Sequence, residues 1–137
     1  EISTMVAKIL ARESALAQQP DWARSVALIA DQNDGFDFEA ATANVRKPLP
    51  RDFSAPQVLV GQQAGAARGA IVSLINAGQA LVNYTGHGSQ NAWGRSGVFS
   101  SDDAAALTNG ARLPVVVGMT CLNGLFDDLI ELFSGDC

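Results

Sequence analysis

Residues 113–121 read Leu-Pro-Val-Val-Val-Gly-Met-Thr-Cys, and this stretch carries the strongest strand signal of the sequence. A short continuous apolar run is typical of a strand that is buried on both faces of a parallel sheet. A second run of this kind, Ser-Val-Ala-Leu-Ile-Ala, occupies residues 25–30, and candidate strands also occupy 57–60 and 80–84. We therefore predict a sheet of buried strands, the last of which leads directly into Cys121.

Helical patterns alternate with these strands. Apolar residues recur at the i, i+3, i+4 spacing of an amphipathic helix at the start of the chain and again in its middle. The predicted helices are 2–17, a segment that begins within 38–45, 70–77 with Gly78 as its C-cap, and 100–109 with Ser100 as its N-cap. Alternation of buried strands with helices implies βαβ units, so we predict an α/β fold with a parallel sheet and helices on both faces.

The composition excludes several classes of protein. Of the 137 residues, 47% are hydrophobic and 17% are charged, which is enough apolar material for a core and unlike a disordered acidic tail. The formal net charge is −5, and no cluster of Lys and Arg offers a basic face, so we predict no nucleic-acid partner. No apolar run approaches the roughly 18 residues of a membrane span, and residues 1–8 lack the pattern of a signal peptide.

Three loops follow predicted strands, and they hold the reactive side chains. In open parallel sheets, sites form beyond the carboxyl ends of the strands. Loop 31–37 contains Asp31, Asp34 and Asp37, loop 86–89 contains His87, the single histidine, and loop 121–126 begins with Cys121. A thiol beside an imidazole is a nucleophile beside a base. A turn histidine with incidental glycines and an inert buried cysteine explain the same residues without chemistry, and the residues alone leave the two interpretations about equal.

Further residues of these loops have candidate roles in such a site. Backbone N–H groups of Gly88 and Cys121 would stabilise an oxyanion. Asp31, the first residue after the strand at 25–30, is the best placed to orient the imidazole, with Asp34 and Asp37 as alternatives. Each aspartate is equally well explained as a turn former or a helix-start acid.

Trp93 is a candidate wall of a substrate pocket, although a tryptophan at such a position more often packs in the core.

Metal and disulfide chemistry receive little support. One histidine and two distant cysteines lack the ligand spacing of a zinc site, and two cysteines do not make a disulfide framework. Residues 31–35, Asp-Gln-Asn-Asp-Gly, faintly resemble a calcium loop but lack its alternating ligands and distal Glu. We therefore predict no metal, with calcium as a weak possibility, and assign no role to Cys137.

Two segments together resemble the gingipain family of cysteine peptidases. Residues 83–89, Asn-Tyr-Thr-Gly-His-Gly-Ser, followed by Trp-Gly at 93–94, resemble the histidine motif of that family. Leu-Thr-Asn at 107–109, Leu-Pro at 113–114 and Thr-Cys-Leu-Asn-Gly-Leu-Phe at 120–126 resemble the stretch around its nucleophile. A weaker resemblance extends back to the first helix, so nearly the whole chain is covered.

The resemblance implies a caspase-like α/β/α sandwich and a cysteine peptidase site. Cys121 would be the nucleophile and His87 the proton-transfer partner, with Gly88 and Cys121 donating to the oxyanion. Asp31 falls where the family has an acid that holds the histidine, and Asp37 lies near the acid that lines the pocket of Arg-specific members. The resemblance also implies polypeptide substrates and a location outside the cell or on the bacterial surface.

The end of the chain departs from the family. Residues 127–135 differ from the corresponding family segments, and the family continues beyond the position of Cys137. We therefore expect residues 1–137 to be part of one catalytic domain, incomplete at its C-terminus, that the rest of the parent chain completes. The leading prediction is a cysteine endopeptidase that works through a Cys–His dyad and an acyl-enzyme. An inactive peptidase-like binding or scaffold module, and a processing or transpeptidase enzyme that uses the same thiol, are the alternatives.

Overall fold

A computed structural model describes residues 2–18, 20–63 and 65–124 of the chain. The helices are α1 Ile2–Leu16, α2 Phe38–Arg46, α3 Ala67–Ala77 and α4 Ser101–Ala105. The strands are β1 Val26–Ala30, β2 Gln57–Leu59, β3 Leu81–Thr85, β4 Ala92–Trp93, β5 Phe99–Ser100 and β6 Val115–Met119.

Four strands form one parallel sheet in the order β2-β1-β3-β6. Helix α2 connects β1 to β2, α3 connects β2 to β3, and α4 lies between β3 and β6 along the chain. The prediction of an α/β fold with a parallel sheet is therefore confirmed. All four strands run the same way, so their carboxyl ends meet at one edge of the sheet.

Helices cover both faces of the sheet. Helix α3 packs on one face, where the core cluster consists of Ala27, Ile29, Val58, Val60, Ala67, Ile71, Ile75, Val82, Tyr84, Trp93, Val98 and Phe99. Helix α2 buries Phe38 and Thr42 and contacts β1 and β3. Side chains alternate between faces along a strand, so α2 meets the face of β1 that carries Leu28, opposite the core cluster.

Strand β6 forms where the sequence predicts it, but the prediction that it is buried on both faces is wrong. All five of its residues are exposed, and the valines and Met119 retain 40% to 54% of their accessible surface. The reason is topological: among the described residues, β6 is the edge strand of the sheet and pairs only with β3. Apolar content reports a tendency to be buried, whereas the position of a strand in the sheet decides its exposure.

Helix α1 is also exposed along its apolar face. None of its described residues is buried, and Ile2, Met5 and Ile9 are exposed. The Arg12 guanidinium attaches the helix to the sheet by donating from Nε to the Leu113 carbonyl oxygen at 2.8 Å and from Nη2 to that of Ala80 at 3.3 Å. Among the described residues, none of the helices combines the length and apolar character needed to cross a bilayer.

Element boundaries differ from the sequence prediction where distant contacts intervene. Helix α3 begins at Ala67, three residues before the predicted start, and ends as predicted at Gly78, whose φ is +94°. Helix α4 ends at Ala105, short of the predicted end at residue 109. The amide of Thr108 donates to the side-chain oxygen of Asn76 at 2.7 Å, a contact with α3 that replaces a helical hydrogen bond. The β4–β5 hairpin was not predicted, because two-residue strands are too short to show a period.

Candidate active site

Parallel pairing of β3 with β6 places the predicted dyad at one edge of the sheet. Thr85 pairs with Met119 in the register of the two strands. His87 and Cys121 each follow this pair by two residues, on neighbouring strands that are about 4.8 Å apart. The histidine loop and the cysteine loop thus leave the sheet side by side.

Both glycines that flank His87 occupy positions where a side chain has no room. A Cβ on Gly86 would overlap the Asp31 side chain and the Tyr84 ring. A Cβ on Gly88 would overlap the Thr120 side chain and would lie 2.9 Å from the carbonyl oxygen of Cys121. The glycines allow the histidine loop to approach both Asp31 and the cysteine loop.

Asp31 is buried and contacts the backbone of the histidine loop. The side chain is 4% exposed, and its Oδ2 accepts from the His87 backbone N–H at 3.1 Å. Its Oδ1 accepts from the Gln32 N–H at 2.8 Å. The Tyr84 hydroxyl lies 3.2 Å from Asp31 Oδ2 and 2.6 Å from the His87 carbonyl oxygen, so it can donate to either. Asp31 thereby holds the loop that carries the imidazole.

Asp34 is the aspartate that contacts the imidazole. Its Oδ2 lies 2.8 Å from His87 Nε2 and 3.6 Å from a terminal nitrogen of the Arg95 guanidinium. The Phe38 ring meets the imidazole edge-on, with the two ring centres 5.2 Å apart. With Nε2 facing Asp34, Nδ1 is the ring nitrogen that remains for proton exchange with a substrate or a thiol.

Burial controls the protonation of Tyr84. Desolvation, followed by the charge of Asp31 and the hydrogen bond to it, raises the pKa of Tyr84 well above the ordinary value. The phenol therefore remains protonated and acts as a hydrogen-bond donor under the loop. Tyr84 lies within residues 83–89, which resemble the histidine motif, yet nothing in the local pattern assigned it this role.

A tight turn follows Cys121. Leu122 has a φ of +60°, in the left-handed region that non-glycine residues rarely adopt. The Asn123 backbone N–H donates to the Cys121 carbonyl oxygen at 2.8 Å, closing a three-residue turn. Backbone strain of this kind is concentrated at functional sites.

The sulfur of Cys121 is disulfide-bonded in the structure, so it becomes a nucleophile only after reduction.

Asn123 joins the cysteine loop to the histidine loop. Its side-chain amide donates to the carbonyl oxygen of Ser89 and approaches that of Ala92 at 3.5 Å. The Gly94 N–H donates to the His87 carbonyl oxygen at 2.8 Å, which adds the β4–β5 hairpin to the same assembly. Sequence reasoning assigned no role to Asn123, although it lies two residues after the cysteine.

The two residues proposed for a substrate pocket, Asp37 and Trp93, make contacts within the fold: Asp37 caps a helix and Trp93 packs in the core cluster. Asp37 is the N-cap of α2: its Oδ1 accepts from the Ala40 N–H at 2.8 Å and from the Asn33 side chain at 3.0 Å. Trp93 stacks on Tyr84 with 4.6 Å between the ring centres. It also lines a cavity of about 420 Å³ beside Asn123 and Gly124.

Residues 127–135 and Cys137 lie outside the described residues.

Within residues 2–18, 20–63 and 65–124, no group of three or more His, Cys, Asp and Glu side chains is arranged to hold a metal ion.

The chain matches the family model described as Peptidase family C25 over residues 1–137. Gingipain R2 and gingipain R1 of Porphyromonas gingivalis are each 28% identical to it over 142 residues. These alignments cover 100% of this chain, but only 18% of gingipain R2 and 14% of gingipain R1. The chain therefore spans less than a fifth of the length of these relatives.

The fold is similar to that of a solved gingipain. The crystal structure of the Arg-specific cysteine proteinase gingipain R superposes with a TM-score of 0.64 at 27% identity, over 85% of this chain and 27% of that one. The predicted caspase-like fold is confirmed by this match. The family model matches residues 1–137, the fold is similar to that of gingipain R, and the resemblance expected from the two motifs agrees with both: the chain belongs to peptidase family C25.

Proposed function

We propose that this chain carries the catalytic residues of a cysteine endopeptidase. The observation that supports the proposal most directly is the shared register of β3 and β6, which brings the loops of His87 and Cys121 together. The contact between Asp34 and the His87 ring supplies the third group that such a site uses to orient its base. Polypeptides are the proposed substrates.

The reaction proceeds in two stages. The reduced Cys121 thiolate attacks the peptide carbonyl carbon, and the N–H groups of Gly88 and Cys121 hold the oxyanion. Protonated His87 gives its proton to the leaving amine, the C–N bond breaks, and a thioester remains on Cys121. His87 then accepts a proton from water as the water attacks the thioester, the C–S bond breaks, and the carboxylic acid leaves with Cys121 restored as the thiolate beside protonated His87.

Asp34 and Asp31 have different parts in this mechanism. Asp34 holds the imidazole at Nε2, and Asp31 holds the histidine loop through its backbone N–H and Tyr84. Asp37 and Trp93 remain proposed pocket residues. Every step uses side chains, peptide and water alone, so we propose that turnover needs no cofactor. Calcium binding by residues 31–35 is the alternative to the absence of a metal. Titration calorimetry with added calcium distinguishes the two, since heat of binding would support the calcium site.

Covalent labelling of the cysteine tests the proposal. The full-length protein that contains this chain, reduced beforehand, is treated with peptidyl ketone electrophiles carrying Arg, Lys or Ala next to the warhead. We expect rapid modification of Cys121, located by mass spectrometry, and a loss of at least about 10²-fold in labelling rate in His87→Ala. Preference for the Arg or Lys peptide would support a pocket role for Asp37.

Matched variants complete the test. Cys121→Ala should abolish peptide hydrolysis with an unchanged circular dichroism spectrum, whereas Cys137→Ala should retain it. Hydrolysis that persists in Cys121→Ala contradicts the proposal. Labelling of Cys121 no faster than Cys137 favours an inactive binding module, and transfer of the acyl group to an added amine favours a transpeptidase.

Two further proposals concern the whole protein. The unbroken family match over residues 1–137 supports assignment of this chain to one catalytic domain, which other parts of the protein complete. The resemblance to gingipains supports a location outside the cell or on the bacterial surface, which protease protection of intact cells tests.

A further inference from the structure

A cavity of about 270 Å³ opens beside His87. Its lining residues are Asp31, Gln32, Asp34, His87, Arg95 and Ser96. None of these belongs to the described cysteine loop, whereas the separate cavity of about 420 Å³ is lined by Asn123 and Gly124. In the proposed mechanism His87 protonates the leaving amine, so the part of the substrate after the cleaved bond is the part that passes nearest to His87 and to the cavity that this residue lines.

This cavity continues into a longer groove. A neighbouring cavity of about 300 Å³ shares Gln32 and Ser96 with it and extends to Val60 and Val98. The groove is charged next to His87, and farther along it combines Val60 and Val98 with the charged side chain of Arg68.

Of the charged side chains that line the cavity, Arg95 has the most hydrogen-bonding groups available to a ligand. The buried Asp31 carboxylate already accepts from the amides of Gln32 and His87. Asp34 is shared between the imidazole and Arg95. The Arg95 side chain is 63% exposed, and its approach to Asp34 at 3.6 Å leaves most of its five N–H donors available.

The backbone holds Arg95 at this position. Arg95 follows Gly94 in the turn of the β4–β5 hairpin, and the Gly94 N–H donates to the His87 carbonyl oxygen at 2.8 Å. The turn is closed by the Gly97 N–H, which donates to the Gly94 carbonyl oxygen at 3.1 Å. An anion can reach the guanidinium without breaking any of these contacts, whereas a cation would reach Asp34 only by displacing Arg95 or the imidazole.

We propose that this cavity binds a carboxylate on the leaving-group side of the substrate and that Arg95 is the residue that selects it. The inference rests on the proposed peptidase function and adds a substrate class to it: peptides with an Asp or Glu at the first or second residue after the cleaved bond. A free C-terminal carboxylate at the same distance from the cleaved bond would offer Arg95 the same charged group.

Fluorogenic peptides with one fixed sequence before the cleaved bond test this with the full-length protein that contains this chain. Three peptides with amidated ends carry Glu, Gln or Lys after the bond, and a fourth carries Gln and a free C-terminal carboxylate close to the bond. We expect kcat/KM for the Glu peptide to exceed that for the Gln peptide about tenfold, as a charge-assisted hydrogen bond would produce. Higher ionic strength should reduce this ratio.

Variants of Arg95 are compared by the ratio of kcat/KM for the Glu peptide to kcat/KM for the Gln peptide. A variant that disturbs His87 changes kcat/KM for both peptides equally, so this disturbance cancels in the ratio. Arg95→Gln should bring the Glu-to-Gln ratio close to one, Arg95→Lys should retain part of it, and Arg95→Glu should favour the Lys peptide. Arg46→Gln is the matched control, because Arg46 is exposed and lies about 12 Å along α2 from Phe38. This control should leave the ratio unchanged.

The outcomes separate this inference from the proposed function. A ratio that is the same in Arg95→Gln and the unmodified protein, or a preference for the Lys peptide, overturns the carboxylate site while peptide cleavage stands. Preference for the fourth peptide over the amidated Gln peptide identifies a terminal carboxylate as the ligand, and preference for the Glu peptide identifies a side chain. If no peptide is cleaved in a Cys121-dependent manner, the proposed function fails and the inference fails with it.

Discussion

Asp31 and Asp34 lie three residues apart and contact different parts of His87. Asp31 accepts from the backbone N–H, deep in the structure, whereas Asp34 contacts ring atom Nε2 near the surface. A buried carboxylate that satisfies several donors contributes to folding, because its loss leaves those donors unpaired. A carboxylate at the edge of a cavity contributes to the orientation of the ring.

The two aspartates should therefore respond differently to replacement by asparagine. We expect Asp31→Asn to lower the free energy of unfolding by about 1–3 kcal/mol, since the amide has one acceptor oxygen for donors that used two. Asp34→Asn should change that free energy by less than about 0.5 kcal/mol and reduce kcat by about 10²-fold, within the usual range for a group that supports a general acid. Urea unfolding and steady-state kinetics of the pair check this. Equal effects of the two variants on stability would contradict the division of roles.

At the level of elements, Arg12 attaches α1 to the sheet by hydrogen bonds, in addition to the half-buried Ala15 and Leu16. The helix has no buried residue among those described, and Arg12 donates to two carbonyl oxygens at the amino ends of β3 and β6. Those carbonyls belong to Leu113 and Ala80, which precede the strands that deliver Cys121 and His87. Arg12 thus joins the first helix to the two strands that carry the site.

Replacement of Arg12 should loosen α1 without unfolding the sheet. We expect Arg12→Gln to lower the free energy of unfolding by about 1–2 kcal/mol, the range of hydrogen bonds to a charged donor, and to speed amide exchange across α1. Lys8→Gln, on the exposed surface of the same helix, should leave exchange unchanged. Hydrogen exchange followed by mass spectrometry measures both. If α1 exchanges equally fast in the two variants, Arg12 does not hold the helix.

For the whole molecule, Tyr84 connects the core to the site. Its ring is fully buried and stacks on Trp93 within the core cluster, while its hydroxyl contacts Asp31 and the histidine loop. Burial first, and then Asp31, raises the pKa of Tyr84 in the folded state above the value of 10.0 that an unfolded chain would show. The folded state therefore holds this proton more tightly than the unfolded state does.

The sign of this difference predicts alkaline unfolding. The contribution of Tyr84 to stability is complete below pH 10.0, its unfolded pKa, and is lost progressively as the pH rises above that value. Because Tyr84 is the single tyrosine of these 137 residues, phenolate absorbance of the 137-residue chain reports it alone. We expect that absorbance to appear together with the loss of the helical circular dichroism signal. Ionisation near pH 10.0 with the helical signal intact would contradict the buried position, and Tyr84→Phe provides the control without an ionisable group.

The sequence alone determined the features that depend on neighbouring residues. The apolar runs at 25–30 and 80–84 predicted β1 and β3, Gly78 predicted the end of α3, and the two motifs predicted the family. The prediction that His87 and Cys121 lie together followed from the parallel sheet, because strand ends on neighbouring parallel strands share an edge. Propensity, periodicity and capping are local, so they can be read along the chain.

Only the tertiary structure decided which atoms meet. Asp31, Asp34 and Asp37 have the same chemistry within seven residues of one loop, and packing assigns the first to a backbone N–H, the second to the imidazole and the third to a helix cap. Arg95 reaches the site through a hairpin whose strands are too short to predict. The exposure of β6 depends on its place at the edge of the described sheet. Each of these depends on contacts between residues that are distant in sequence, whose geometry no local pattern contains.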